Sequence, residues 1–224
     1  MSAAKAKSAK SRIFLVDDHP IVITGFTLML NAQSDLEVCG TAKSAEEALG
    51  SVPQLRPDLV ITDVTLPGRN GLDLLRELLT LDPNCRVLVV TMHDELLYAE
   101  RALRAGARGY LMKEAGSERM LAAIRHVLAG QVYVSERMQA KILSGMIGHQ
   151  PKAGATSPIE KLSDREFEIF RLMGEGKTTK EIAHQLHLSH KTVAVHRGHI
   201  KDKLGVTNAN ELVHQAVRWV ASQG

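Results

Sequence analysis

The stretch Asp58–Gly71, DLVITDVTLPGRNG, constrains the fold more than any other. A short apolar run (Leu59, Val60, Ile61) stops at a carboxylate, Asp63; a Pro/Gly/Asn-Gly turn follows, and Gly71 opens an amphipathic pattern. Runs apolar on both faces belong to strands buried in a parallel sheet between two layers of helices. Ligands of such sheets bind in the crevice at the carboxyl ends of the strands. Asp63 is placed where that chemistry occurs, although an acid at a strand end also serves as a plain helix cap.

The rest of the front half repeats the theme. Apolar segments Arg12–Val16, Leu36–Ala42, Asp58–Thr62, Arg86–Val90 and Arg108–Met112 alternate with helical patterns at Ile21–Leu30, Ala45–Val52, Leu72–Leu81, Leu96–Leu103 and Met120–Leu128. Strand and helix in alternation predict a doubly wound α/β fold with a five-stranded parallel sheet. The first strand then delivers Asp17 and Asp18, the third Asp63, the fourth Thr91 and the fifth Lys113. Three carboxylates in one crevice repel one another unless a cation sits among them, and hard oxygen ligands with open water positions suit Mg²⁺. Lys113 and Thr91 are placed to stabilise phosphoryl oxygens around Asp63, an acyl phosphate acceptor. Singly, each residue has a plain reading as turn residue, cap or solvated side chain. Their arrival together at successive strand ends favours the functional one.

These residues resemble the receiver domain of bacterial two-component response regulators, over about Arg12–Gly130. The resemblance rests on VDDH (Val16–His19), DVTLPGRNG (Asp63–Gly71), VVTMHD (Val89–Asp94) and GYLMKEAG (Gly109–Gly116). It implies that Asp63 is the phosphoacceptor and Asp18 a direct Mg²⁺ ligand, with Asp17 assisting through water and the Thr65 backbone carbonyl completing the protein's share. It also implies that Thr91 and Lys113 contact the phosphoryl group and that Tyr110 is the aromatic switch residue. Many receivers follow the lysine with proline; here Glu114 follows, which leaves the geometry of that peptide open.

Charge divides the chain. Residues 1–130 hold 15 Lys+Arg against 16 Asp+Glu, residues 131–224 hold 13 against 9, and six of the ten histidines lie at or beyond His184. A basic, His-rich back half fits a polyanionic partner. No apolar stretch approaches the roughly 20 residues of a membrane helix. The opening MSAAKAKSAKSR lacks the apolar segment of a secretory signal, and Cys39 and Cys85 form no CxxC pattern, so the expectation is a reduced, cytoplasmic protein without membrane contact. The expected organisation is a flexible tail (1–11), a receiver (12–130), a linker with a short helix (131–158) and an all-α four-helix domain (159–224). GHQPKAGATSPIE (Gly148–Glu160) has a linker's composition, and Ser135 is a candidate cap for the helix before it.

From Leu162 the caps announce four helices. Ser163/Glu166, Thr178/Glu181 and Asn208/Glu211 have capping-box spacing, Ser189 precedes the third helix, and Gly174, Gly176 and Gly205 stand where helices should stop. Two short helices joined by a tight turn, the second basic, form a helix-turn-helix pattern. LSDREFEIFRLMGEGKTTKEIAHQLHLSHKTVAVHRGHIKDKLGV resembles the LuxR-type module of NarL/FixJ-class regulators over about Lys161–Val220. Val193, Ile200 and Leu204 should pack inward, with His196 core or semi-buried. The opposite face carries Lys191, Ala194, Val195, Gly198 and Asp202. Lys191, Thr192, Lys201 and Lys203 are candidate phosphate contacts; Val195 suits a thymine methyl, and His199 a base edge or phosphate. Ala194, Gly198 and Ala209 replace more polar residues common in the family, which thins base reading.

The resulting expectation is a transcription regulator, not an enzyme, that takes a phosphoryl group from a histidine kinase on Asp63 with Mg²⁺. Phosphorylation then alters homodimerisation and binding to double-stranded DNA. Two rivals stand beside it. One is a regulator acting through protein contacts with weak DNA reading. The other is an Mg²⁺-dependent phosphatase, which lacks a second acid where Thr65 stands.

Overall fold

The computed structural model describes residues 10–148 and 158–222. The described chain forms two compact units. In the first, strands β1 (Ser11–Val16), β2 (Leu36–Ala42), β3 (Leu59–Thr62), β4 (Val87–Thr91) and β5 (Gly109–Met112) alternate with helices α1 (Pro20–Asn31), α2 (Ala45–Leu55), α3 (Gly71–Leu81), α4 (Glu95–Arg104) and α5 (Ser117–Leu128). The sheet order is β2-β1-β3-β4-β5, and every pairing is parallel. The doubly wound expectation holds element by element, with ends shifted by a few residues. The tail was expected through residue 11, but Ser11 already pairs with Leu36. Residues 1–9 of that tail lie outside the described residues.

β3 and β4 are buried along their whole length, as the unbroken apolar runs require. One side of the sheet sends Ile13, Leu15, Ile61, Leu88 and Val90 against Leu30 of α1 and Met120, Ile124 and Val127 of α5. Helix α2 runs past Pro53, where the apolar pattern predicted its end at Val52. A proline in the final turn forfeits only one intrahelical bond, and the helix then closes on Arg56, in the left-handed region at φ 45°, whose N–H reaches the Val52 carbonyl. The described backbone contains no cis peptide bond, so Lys113–Glu114 is trans.

A sixth helix, α6 (Glu136–Gly148), occupies the expected linker. Ser135 Oγ accepts from Met138 N at 3.0 Å, as its sequence position predicts. The linker's later part, 149–157, lies outside the described residues.

The second unit holds α7 (Asp164–Gly174), α8 (Thr179–Gln185), α9 (His190–Leu204) and α10 (Ala209–Ala221). Complete capping boxes start α7 and α8, and the Ser189 side chain caps α9 through Thr192 N. At α10 the Asn208 side chain accepts from Glu211 N, but Glu211 reaches back to Thr207 instead of closing the box. Gly205 ends α9 in the left-handed region, φ 67°. Gly174 is the last residue of α7, as expected, and a Cβ there would lie 2.5 Å from the Ala216 carbonyl oxygen, so the glycine also lets α7 and α10 approach. Phe170, Ile182, Val193, Ile200 and Leu212 are fully buried.

Candidate functional site

Because all five strands are parallel, their carboxyl ends share one edge. Asp17 and Asp18 follow β1, Asp63 follows β3, Thr91 ends β4 and Lys113 follows β5. Asp17, Asp63 and Thr91 are buried. Lys113 Nζ lies 2.6 Å from Asp17 Oδ2 and 2.5 Å from Asp63 Oδ2, one ammonium shared by two carboxylates. Burial alone pulls the Lys113 pKa down, but the Asp63 charge and the hydrogen bonds to Asp17 and Asp63 overcome it and hold the pKa above its ordinary value.

The second oxygen of Asp63 is fixed by the chain itself: Oδ1 accepts from Val64 N at 2.6 Å and Thr65 N at 3.3 Å. Gly71 passes so close behind that a Cβ would stand 1.8 Å from the Asp63 carbonyl oxygen. The glycine of the turn, Gly71, is therefore a steric requirement of the backbone at Asp63.

Asp17, Asp18 and Asp63 form a set of hard carboxylate oxygens, the donor chemistry of Mg²⁺, and the donors of Asp17 and Asp18 gather within 4.8 Å of one another together with the His19 ring. The sequence reading did not single out His19. Its Nδ1 stands 2.8 Å from Asp18 Oδ1, and its backbone N–H reaches Asp17 Oδ1 at 3.0 Å. The only signal was adjacency to the Asp pair.

His93 was also passed over, and it ties the site together. Its Nε2 meets the Thr65 hydroxyl at 2.8 Å. Its backbone N–H donates to Thr91 Oγ1 at 3.4 Å, and its carbonyl accepts from the Tyr110 hydroxyl at 2.9 Å. Its ring stacks on Tyr98, centroids 4.7 Å apart. Tyr110 is buried, and burial pushes its pKa well above the usual phenol value.

In the helical unit, α8 and α9 form the helix-turn-helix pair. The turn passes through His187 in the left-handed region, φ 52°, a conformation uncommon outside glycine. Val193 and Ile200 are buried as expected, and Leu204 is half-buried. Lys191, Ala194, Val195, His199 and Asp202 are exposed; Gly198 and Lys201 are half-buried. The Thr192 hydroxyl is 2.8 Å from Ser189 Oγ. Lys203 Nζ is 2.6 Å from Glu166 Oε2, an ion pair inside the domain. Arg197 Nη1 donates to Thr179 Oγ1 at 2.7 Å and locks α9 to the start of α8. Trp219 on α10 meets Phe167 and Phe170 of α7 at ring distances of 5.3 and 5.9 Å.

An acidic crevice with a shared lysine at the edge of a five-stranded parallel sheet, followed by a capped helix-turn-helix, defines a two-part regulator. Residues 13–125 match the response regulator receiver domain, and residues 160–216 match the luxR family of bacterial regulatory proteins. The chain belongs to the bacterial response regulators and joins a phosphorylatable receiver to a LuxR-type DNA-binding domain. It is 38% identical over 210 residues to the oxygen regulatory protein NreC of Staphylococcus aureus (strain JH9), which covers 92% of this chain and 97% of that one. A LuxR-family two-component response regulator from Aurantimonas sp. SI85-9A1 is similar at 34% identity and a TM-score of 0.58, covering 62% of this chain and 99% of that one. Salmonella enterica serovar Typhimurium RcsB, solved bound to promoter rprA with the phosphomimetic BeF3-, is similar at 26% identity and a TM-score of 0.61 over 92% of this chain and 98% of that one. Among the described residues no helix is long and apolar enough to cross a membrane.

Proposed function

We propose that Asp63 accepts a phosphoryl group from a phosphohistidine of a histidine kinase, and that the modified receiver controls binding of α9 to double-stranded DNA in the cytoplasm. The observation that carries this reading is Lys113 Nζ within hydrogen-bond reach of both Asp17 and Asp63. Two oxygens of Asp63 have separate tasks. Oδ1 is held by the backbone N–H groups of Val64 and Thr65, and Oδ2 faces the ammonium. A carboxylate oxygen of Asp63 forms the new O–P bond as the P–N bond to the donor imidazole breaks, and the imidazole nitrogen keeps that electron pair. Mg²⁺, which receivers generally use, would be held by Asp17, Asp18, Asp63 and the Thr65 carbonyl, and supplies neutralisation of phosphoryl charge. Lys113 holds one phosphoryl oxygen, and the Thr91 hydroxyl donates to another.

Thr91 is joined to Tyr110 through His93. Drawing the Thr91 hydroxyl to the phosphoryl group moves the acceptor of the Tyr110 hydroxyl, and this biases a two-state surface around α4, β5 and α5. The output is homodimerisation on a duplex with two half-sites, because one short helix reads few bases. Lys191, Thr192 and Lys201 contact phosphates, and Val195 and His199 reach the groove. Lys203, occupied by Glu166, orients α9 instead.

Two experiments test the reading. Incubation with acetyl phosphate and Mg²⁺ should raise the intact mass by one phosphoryl group in the native chain and leave Asp63→Asn unchanged; a shift in that variant moves the acceptor elsewhere. Phosphorylation should tighten binding to a two-half-site duplex more than to a single half-site, with steep salt dependence. Equal tightening on both removes the dimer from the mechanism.

A further inference from the structure

We infer that Glu166, His196 and His199 form a binding site for a transition-metal ion of the Zn²⁺ class, clipping the start of α7 to the middle of α9. The three residues present donor atoms that all lie within 4.8 Å of one another. Two histidines three apart on one helix project from the same face, and their rings stand 6.4 Å apart and nearly perpendicular. His199 Nδ1 is 3.9 Å from Glu166 Oε1.

The carboxylate is already divided between two tasks. Its Oε2 accepts from Ser163 N at 2.8 Å and from Lys203 Nζ at 2.6 Å. That leaves Oε1, on the side of His199, for an ion, so metal binding does not require breaking the capping box or the Lys203 pair. A second observation points the same way. His196 Nδ1 is buried and lacks a hydrogen-bond partner among the described residues. A buried polar nitrogen without a partner costs free energy unless something satisfies it.

Two imidazoles and one carboxylate, with water in a fourth position, are a zinc donor set. Donors at about 2.0–2.1 Å from a tetrahedral ion lie about 3.3 Å apart. The histidine–carboxylate gap therefore has to close by roughly half an ångström. His199 has the freedom to do this, since its side chain is 58% exposed. The soft-to-borderline nitrogens favour Zn²⁺ over Mg²⁺, whose site lies among the carboxylates of the receiver. The site stands independently of phosphorylation at Asp63.

The test is a Zn²⁺ titration of the full chain against a chromophoric chelator, with Mg²⁺ in excess to fill the receiver crevice. One Zn²⁺ per chain is expected, and His199→Asn and His196→Gln should each weaken it at least about tenfold, a loss that even outer-shell partners of a metal produce. His199 is on the surface, so His199→Asn keeps the fold, which far-ultraviolet circular dichroism checks. Co²⁺ in place of Zn²⁺ should give the visible absorption of a tetrahedral shell in the native chain and lose it in His199→Asn. Zn²⁺ affinity unchanged in both histidine variants, or no stoichiometric binding by the native chain, overturns the site.

Discussion

The Thr65 hydroxyl and His93 Nε2 stand 2.8 Å apart, bridging the loops that follow β3 and β4. Thr65 is two residues beyond Asp63, the proposed acceptor, and His93 two beyond Thr91, so the bridge links the two loops beside those residues. On the proposed phosphorylation of Asp63, a closed bridge would hinder water from reaching the acyl phosphate. His93→Ala should therefore shorten the lifetime of the phosphorylated chain severalfold, read as inorganic phosphate released after removal of the donor. Thr65→Val should act in the same direction. A longer lifetime in His93→Ala would mean that the ring activates water instead of excluding it.

Gly71 sets a harder limit on the same loop. With Asp63's carbonyl oxygen 1.8 Å from where a Cβ would be, Gly71→Ala must displace the backbone of Asp63 itself, which has no rotamer to yield. The Gly71 N–H bond to the Val64 carbonyl, 2.7 Å, would stretch with it. The expected cost is about 1–3 kcal/mol in a denaturant titration, together with slower phosphorylation. Native stability with a native phosphorylation rate would show that the loop shifts freely.

Away from the site, Arg125 Nε and Nη2 grip Asp35 Oδ2 and Oδ1 at 2.8 and 3.0 Å, tying α5 to the turn before β2. The hydrogen bond from Arg125 leads the causes that hold the Asp35 carboxyl below its ordinary value of 3.8. A carboxyl with a depressed folded pKa contributes stability that is present above its unfolded pKa and disappears as pH falls through the folded one. Both side chains are nearly half exposed, so solvent screening limits the pair to less than about 1 kcal/mol. Arg125→Ala should lower the melting temperature slightly at neutral pH, and the gap should close in acid below the ordinary carboxyl value. A gap that persists at all pH values would assign the loss to the packing of the arginine stem.

The contrast between what the sequence revealed and what it concealed follows the range of the interactions. Strand ends and helix caps are local: Ser163 reaches Glu166, Thr178 reaches Glu181 and Ser189 reaches Thr192 within one turn, so spacing alone located them. Parallel strands then gathered Asp17, Asp63, Thr91 and Lys113 without further information. His93 gave no such signal, because its partners Thr65 and Tyr110 are 28 and 17 residues away and meet it only once β3, β4 and β5 are in register. The pairing of Lys203 with Glu166, 37 residues apart, was hidden for the same reason. So was the inward turn of Trp219, whose amphipathic helix offers an apolar face but not its partner.

Gly198 brings stability and recognition into one measurement. It lies inside α9, yet a Cβ there would meet nothing within 4 Å, so the domain's packing does not require a glycine. A glycine in a helix interior costs about 0.8–1 kcal/mol relative to alanine. Gly198→Ala should therefore raise the unfolding free energy of the helical domain by about that amount, read from a denaturant titration. It shares the outer face of α9 with Lys191, Ala194 and Val195, and a missing side chain there lets the backbone approach a groove closely. The added methyl should thus weaken duplex binding severalfold while leaving the slope of affinity against salt unchanged, since no charge is altered. Measured together, a rise in stability with a fall in affinity identifies Gly198 as a position of close approach. A rise in stability with native affinity would place it off the interface, and no rise at all would contradict the open space seen around it.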